Sequence, residues 1–294
     1  MILRKVCIDA KENIRYYKKK DFDNLHPSYL SFPKKGEYFD EEKAKNLRLF
    51  VWQQMSINYF HNLLMRKTLY FKRFSDFDRR DERPVEFYKK AFFAEKEISD
   101  TYKKKLISQF SDMVYISCWY QSENLTDIVF KEYAKGSVGV AIGTDVVTLL
   151  SQLSGYKGGA DGKNRAQDEL FYGDTLYLSD KFGSELTLEH AADLITPIFL
   201  KSENHNDDRE FRLAYVKNSC YIQPSRFSSM EIDPSGLEKD HIDIDIRDIK
   251  SLIKRVAIRN DDQCTMELTK HLLNYFGFHI KKAVSIDGFD VLVV

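Results

Sequence analysis

Apolar and polar residues alternate along Glu210-Phe211-Arg212-Leu213-Ala214-Tyr215-Val216, directly after the polar run Glu203-Asn204-His205-Asn206-Asp207-Asp208. A period of two predicts a strand over 209–216, with Phe211, Leu213 and Tyr215 on one face and Glu210, Arg212 and Ala214 on the other. Ser219 to Gln223 is the expected hairpin partner. Runs of β-formers predict further strands at Thr68–Phe71, Met113–Tyr120, Val138–Gly143 and Leu170–Leu178, another within Ile249–Ile258, and two more at the end of the chain. Helical spacing predicts helices at Ile57–Leu64, Thr126–Ala134 (closed by Gly136), Val146–Leu153, Leu188–Leu200 and Cys264–Phe276, and charged amphipathic helices within 84–110. Arg48 to Trp52 suits a strand, although Leu47, Phe50, Val51, Gln54 and Met55 also fit a helical face.

Residues 1–46 have little apolar periodicity; they carry Lys18-Lys19-Lys20, Pro27 and Pro33. They read as an irregular extension on a single α+β domain of catalytic type spanning 47–294. Gly155 to Lys163 contains four glycines and reads as a flexible loop. Helices and strands are interspersed with no βαβ period and no internal repeat, which favours α+β over a doubly wound sheet.

Composition narrows the function classes. Among 294 residues, Lys+Arg and Asp+Glu both number 45, so net charge exerts no global pull toward nucleic acid or membrane. The 21 Phe and 17 Tyr supply a large core and leave rings for stacking on flat ligands. Cysteines 7, 118, 220 and 264 are far apart, and without a signal peptide they read as reduced thiols in a cytoplasmic protein. The histidines include no H-x-x-x-H and no Cys/His cluster, which disfavours structural zinc, and no apolar run is long enough to cross a bilayer. P-loop, dinucleotide-fold and nucleophile-elbow motifs are absent, and Cys118 has no placed His partner.

The candidate chemistry lies at the head of the 209–216 strand. Asp208 and Glu210 are two apart and share one side, with Arg212 next along it. Such a group can hold a polar ligand or stabilise positive charge. The bland alternative, a strand with a cross-strand ion pair, is commoner on spacing alone.

Five motifs in order resemble the domain of unknown function 2971 family of bacteria and phage. They are the turn Phe77-Asp78-Arg79-Arg80-Asp81-Glu82, the strand Ser117-Cys118-Trp119-Tyr120, Phe130 and Tyr133 before Gly139-Val140-Ala141-Ile142, Lys201 before Asp208-Arg209-Glu210-Phe211-Arg212, and the closing unit 255–294. The likeness covers 48–294 and departs from the family in two places. The turn has Asp78 for Asn and no Pro, and Asp208 stands for the first Glu of an E-x-E-[WY]-R strand. That strand is similar to the arrangement of ADP-ribosyltransferases, an analogy at the level of fold. The resemblance implies two small, mostly antiparallel sheets facing a cleft, flanked by helices, with NAD between them as the substrate. It implies Glu210 as the carboxylate that bonds the ribose and Asp208 as the residue that orients the acceptor. Trp52, Tyr70 and Tyr133 would stack on nicotinamide or adenine, and Ser117 would bond the ribose. Arg48 and Lys201 would meet the pyrophosphate, with Arg212 beside Glu210. The enzyme would be a toxin or anti-phage defence effector acting on a nucleic-acid or protein acceptor, with an antitoxin protein as a further partner. Two other classes stay open. One is a Mg²⁺-dependent nuclease using Asp174 or Asp145 with the Glu210/Arg212 strand. The other is a non-catalytic recognition module.

Overall fold

Thirteen strands and four short helices are defined in a computed structural model that describes residues 2–5, 50–76, 111–122, 139–153, 169–178, 196–202, 209–216 and 240–294. The strands are β1 (Ile2–Lys5), β2 (Phe50–Ser56), β3 (Thr68–Arg73), β4 (Val114–Gln121), β5 (Gly139–Asp145), β6 (Glu169–Asp174), β7 (Leu176–Leu178), β8 (Leu200–Ser202), β9 (Glu210–Val216), β10 (His241–Asp245), β11 (Arg255–Arg259), β12 (Lys282–Ile286) and β13 (Phe289–Val293). The helices are α1 (Ile57–Arg66), α2 (Val146–Leu153), α3 (Ile249–Leu252) and α4 (Gln263–Tyr275). The protein is α+β and its main sheet is mostly antiparallel. Eleven strands join in it, in the order β1-β6-β9-β4-β2-β5-β11-β13-β12, and β3 and β10 branch from β4. Of the strand pairs, β1–β6 and the separate two-stranded β7–β8 are parallel.

The branch point decides the architecture. The C-terminal end of β4 pairs with β2 (Trp52 opposite Tyr120), and its N-terminal end pairs with β3 (Lys72 opposite Ile116). Both partners run antiparallel to β4 and are therefore parallel to each other, so no tight hairpin can join them. The helix α1 makes that crossover. Its Ser56 cap accepts the Tyr59 amide at 3.3 Å, and Lys67, at φ 55°, ends it one residue before β3. Between the two branches the Gln53 amide and the Trp119 indole both donate to Ser117 Oγ, at 2.8 and 3.2 Å. Those bonds fill the crotch of the fork.

Period-two alternation sorts the sheet into two faces. One carries Val51, Tyr115, Trp119, Val140, Ile142, Leu170, Tyr172, Phe211, Leu213, Tyr215, Val256 and Ile258, packed with the buried sides of α1, α2 and α4 into the main core. The other carries a smaller cluster of Trp52, Tyr120, Ala141, Ala257, Phe289 and Val291, flanked by Phe50. At the far end, Asp287 (φ 48°) and Gly288 (φ 85°) form a two-residue turn between β12 and β13, as an Asp-Gly pair favours.

Several expectations are corrected. The chain start is not wholly irregular, because Ile2–Lys5 adds a parallel strand beside β6. Strand β9 does not form a hairpin with 219–223, since β4 and β6 occupy its two edges. Residues at the end of the expected 188–200 helix form a 3₁₀ turn (Thr196–Phe199) leading into β8. Pro197 has no amide hydrogen to continue a helix. Strand β10 was not anticipated. Instead of two separate sheets, the main strands share one hydrogen-bonded sheet forked at β4. Residues 6–46, the turn at 77–82, the helices at 84–110 and 126–134, the loop at 155–163 and the segment 219–223 lie outside the described residues.

Candidate functional site

Glu210 opens β9 on the face opposite the main core. Directly paired residues share a face, so the register Glu210–Tyr120–Trp52–Gly143–Arg255 forms one row across five strands. Two strand spacings separate Glu210 from Trp52, or about 10 Å between backbones. Arg212, two residues along, lies between Cys118 of β4 and Gly173 of β6. Gly173 has no side chain to obstruct the guanidinium.

The carboxylate of Glu210 is 3% exposed and held by cations. Arg212 Nε donates to Oε1 at 2.7 Å and Nη2 to Oε2 at 3.2 Å, while Lys201 Nζ reaches Oε2 at 3.3 Å. Arg212 also donates through Nη1 to the carbonyl of Ile198. The segment Thr196–Ser202 therefore roofs this part of the sheet, with Ile198, Phe199 and Lys201 all buried. Charge balance follows from this geometry. Burial alone raises the Glu210 pKa, but the charge and hydrogen bonds of Arg212, then Lys201 and the Cys118 hydrogen bond, lower it to about 2. Burial, and then the charge of Glu210, push the Cys118 thiol well above its ordinary range. Cys118 is thus a thiol donor to a carboxylate, and its protonation does not suit a nucleophile.

The carboxylate also couples stability to pH. An unfolded glutamate titrates near 4.5 and the folded one near 2, so the stabilisation is complete above about pH 5. It is lost as pH falls from 5 to 2, and the depression corresponds to on the order of 3 kcal/mol. Denaturant unfolding between pH 7 and pH 3 is expected to show falling stability with proton uptake on unfolding. The dependence is expected to flatten in a variant lacking Glu210; an unchanged slope in that variant would contradict the assignment.

Arg209, just before Glu210, has φ 38°, an uncommon conformation for a residue with a side chain. Its carbonyl accepts the Gln121 amide at 2.8 Å, and the Glu210 carbonyl accepts the Thr175 amide at 2.8 Å. These bonds hold the backbone on both sides of the head of β9.

The other expected site residues separate into groups. Glu210, Arg212, Lys201 and Trp52 lie on the same side of the sheet. Trp52 is a core residue there, its ring edge-on to Phe50 at 5.1 Å and its indole donating to the Ser122 carbonyl at 3.0 Å. Ser117 is on the opposite face, because it pairs with Leu213, one step out of phase with Glu210. It accepts hydrogen bonds at the fork and does not face the carboxylate. Tyr70 lies on the β3–β10 branch, stacked on His241 at 5.0 Å and near Tyr59 at 5.4 Å. Burial, followed by Tyr59, Asp240, Asp243 and Asp76, raises its pKa to about 12. Lys201, expected at the pyrophosphate, is a buried ion-pair partner of Glu210. Arg48, Tyr133 and Asp208 lie outside the described residues.

Of the nuclease acids, Asp145 is engaged away from Glu210. Asp145 accepts the Thr148 amide and hydroxyl at the start of α2, both at 2.8 Å, and is ion-paired to Lys254. Despite partial burial, the Lys254 and Thr148 hydrogen bonds lower its pKa. In the backbone register Asp174 pairs with Phe211. Among the described residues, no three His, Cys, Asp or Glu side chains are grouped to hold a metal ion. Likewise, no helix among them is long and apolar enough to cross a membrane.

Sequence reasoning missed Tyr120 and Cys118 as the β4 residues on the Glu210 face. The parity of Ser117-Cys118-Trp119-Tyr120 held the signal, since Cys118 and Tyr120 are out of phase with Ser117, but only the β4–β9 register identifies the residue opposite Glu210. Comparisons with protein-family models, curated proteins and solved structures returned no match.

Proposed function

We propose that the chain is an ADP-ribosyltransferase-like enzyme that uses NAD to modify a nucleic-acid or protein acceptor, as a toxin or defence effector held in check by an antitoxin protein. The observation that carries this reading is a carboxylate kept ionised at the head of β9, with Tyr120 and Trp52 in the same row. The available groups suit the parts of a dinucleotide: aromatic rings for its bases, Arg212 and Lys201 for its phosphates, and a carboxylate for a ribose hydroxyl. NAD supplies a ribose that becomes cationic as nicotinamide leaves. Glu210 would bond that ribose and stabilise the charge as it develops. Arg212 and Lys201 hold Glu210 ionised at every physiological pH. In this reading Thr196–Ser202 must move aside for a ligand to reach Glu210. Arg48, Tyr70, Tyr133 and Ser117 are secondary to this core, and Asp208 keeps the acceptor-orienting role implied by the resemblance.

One observation favours a second reading. Both oxygens of Glu210 are occupied and the side chain is almost fully enclosed, as expected of a structural ion cluster in a non-catalytic recognition module. Nicotinamide release from NAD, measured with purified protein in the presence of cell lysate, separates the two. Release that depends on the lysate and on Glu210 supports the transferase. No release and no calorimetric NAD binding under any acceptor condition would move the recognition module ahead.

A further inference from the structure

Glu210 has a second neighbour in its row. The β6–β9 register that pairs Gly173 with Arg212 brings Thr175 opposite Glu210, and the Thr175 amide donates to the Glu210 carbonyl at 2.8 Å. Directly paired residues share a face, so Tyr120 and Thr175 flank Glu210 on its two sides. Side chains paired in this way start about 5 Å apart at their Cβ atoms. Thr175 is also where the chain leaves the main sheet. The next three residues form β7, whose parallel partner β8 sets Tyr177 beside Lys201. The threonine therefore stands where the sheet meets the roof over Glu210. It is 7% exposed, and its hydroxyl has no hydrogen-bond partner. A buried hydroxyl without a partner weakens a fold, and valine would fill the same volume without that loss.

We infer that Thr175 is a substrate-binding residue of the Glu210 site, its hydroxyl bonding the 3′-hydroxyl of the nicotinamide ribose while Glu210 bonds the 2′-hydroxyl. The inference rests on the transferase reading above and adds that both hydroxyls of one ribose are recognised. The order along the row decides which hydroxyl each residue takes. Trp52, Tyr120, Glu210 and Thr175 follow one another across the sheet, and base, carbon 1′, 2′-hydroxyl and 3′-hydroxyl follow one another along the ribose. With the base toward the rings, the 2′-hydroxyl falls to Glu210 and the 3′-hydroxyl to Thr175. The chemistry agrees with that division. An ionised carboxylate only accepts, and its charge is best used beside the carbon that becomes cationic. A threonine hydroxyl both donates and accepts, which suits the hydroxyl farther from the reacting carbon. The amide bond to the Glu210 carbonyl keeps Thr175 with the sheet when the roof is displaced, so the pair stays assembled as the ligand enters.

Calorimetric affinities for NAD and for its analogue lacking the 3′-hydroxyl of the nicotinamide ribose, measured on the full chain, test the assignment. Thr175→Val is expected to bind NAD roughly ten-fold more weakly, the worth of one hydrogen bond, and to bind the 3′-deoxy analogue with wild-type affinity. The wild type is expected to prefer NAD over the analogue by the same factor, a comparison that needs no variant to fold. Thr175→Ser keeps the hydroxyl and is expected to recover most of the affinity lost in Thr175→Val. Urea unfolding supplies a readout of opposite sign. Thr175→Val is expected to be at least as stable as the wild type, because it removes a polar group that has no partner in the fold. A less stable Thr175→Val, or one that loses affinity equally for both ligands, would assign the hydroxyl to the fold itself and overturn the inference. Undiminished NAD binding in Thr175→Val, or a wild type indifferent to the 3′-hydroxyl, would overturn it while leaving the transferase reading in place. A wild type without measurable affinity for NAD would remove both.

Discussion

Glu210→Gln is expected to destabilise the fold by about 3–5 kcal/mol, the usual cost of removing one partner from a buried ion cluster. The change preserves size but strips the negative charge that neutralises Arg212 and Lys201, leaving two buried cations with one amide between them. The amide nitrogen also cannot accept from Arg212 Nε or Lys201 Nζ. The geometry makes it a severe substitution for folding. Removing one cation along with the charge, as in Glu210→Gln/Lys201→Met, should restore part of the stability. Urea unfolding of the wild type, both single variants and the pair measures the coupling directly. Additive effects would contradict a shared cluster. The same variants test the proposed chemistry. Loss of a well-placed charge at a reacting centre typically costs roughly 10²–10³ in rate. Turnover per folded molecule should therefore stay low in the double variant even as stability returns. A double variant that recovers both would make Glu210 a purely structural residue.

Gly143→Ala is expected to lower stability by about 1–3 kcal/mol, the range for overpacking a filled core. An added Cβ would lie 2.6 Å from Phe50 Cε1 and 2.7 and 2.8 Å from two atoms of the Trp52 ring. Neither ring is free to retreat. Trp52 is 2% exposed and tethered by its indole to Ser122, and Phe50 lies beneath the Arg255 guanidinium at 4.4 Å. A strand glycine replaced by alanine ordinarily gains from a stiffer unfolded chain, so the sign of the result is diagnostic. Chemical denaturation together with tryptophan emission measures the effect. A neutral or stabilising outcome would mean that the Phe50–Trp52 pair does not close over Gly143. Because Trp52 shares a row with Glu210, displacement of its ring should also reduce any affinity for NAD.

The sequence determined which residues of a strand share a face and where several of the local elements lie. Alternation placed Phe211, Leu213 and Tyr215 in the core and Glu210 with Arg212 on the reverse, as found. The helix over Val146–Leu153, the helix of the C-terminal unit and the two terminal strands were equally legible. These features depend on residues a few positions apart, so periodicity and capping suffice to encode them. Only the tertiary structure decided which strands are neighbours and in what register. That choice put Ser117 on the far face from Glu210, gave both edges of β9 to β4 and β6, sent Tyr70 onto a separate branch, and turned Lys201 into a buried partner of the carboxylate. Alternation fixes parity within one strand but leaves parity between strands free, since a shift of one residue exchanges the faces. Long-range packing and the pairing of buried charge removed that freedom.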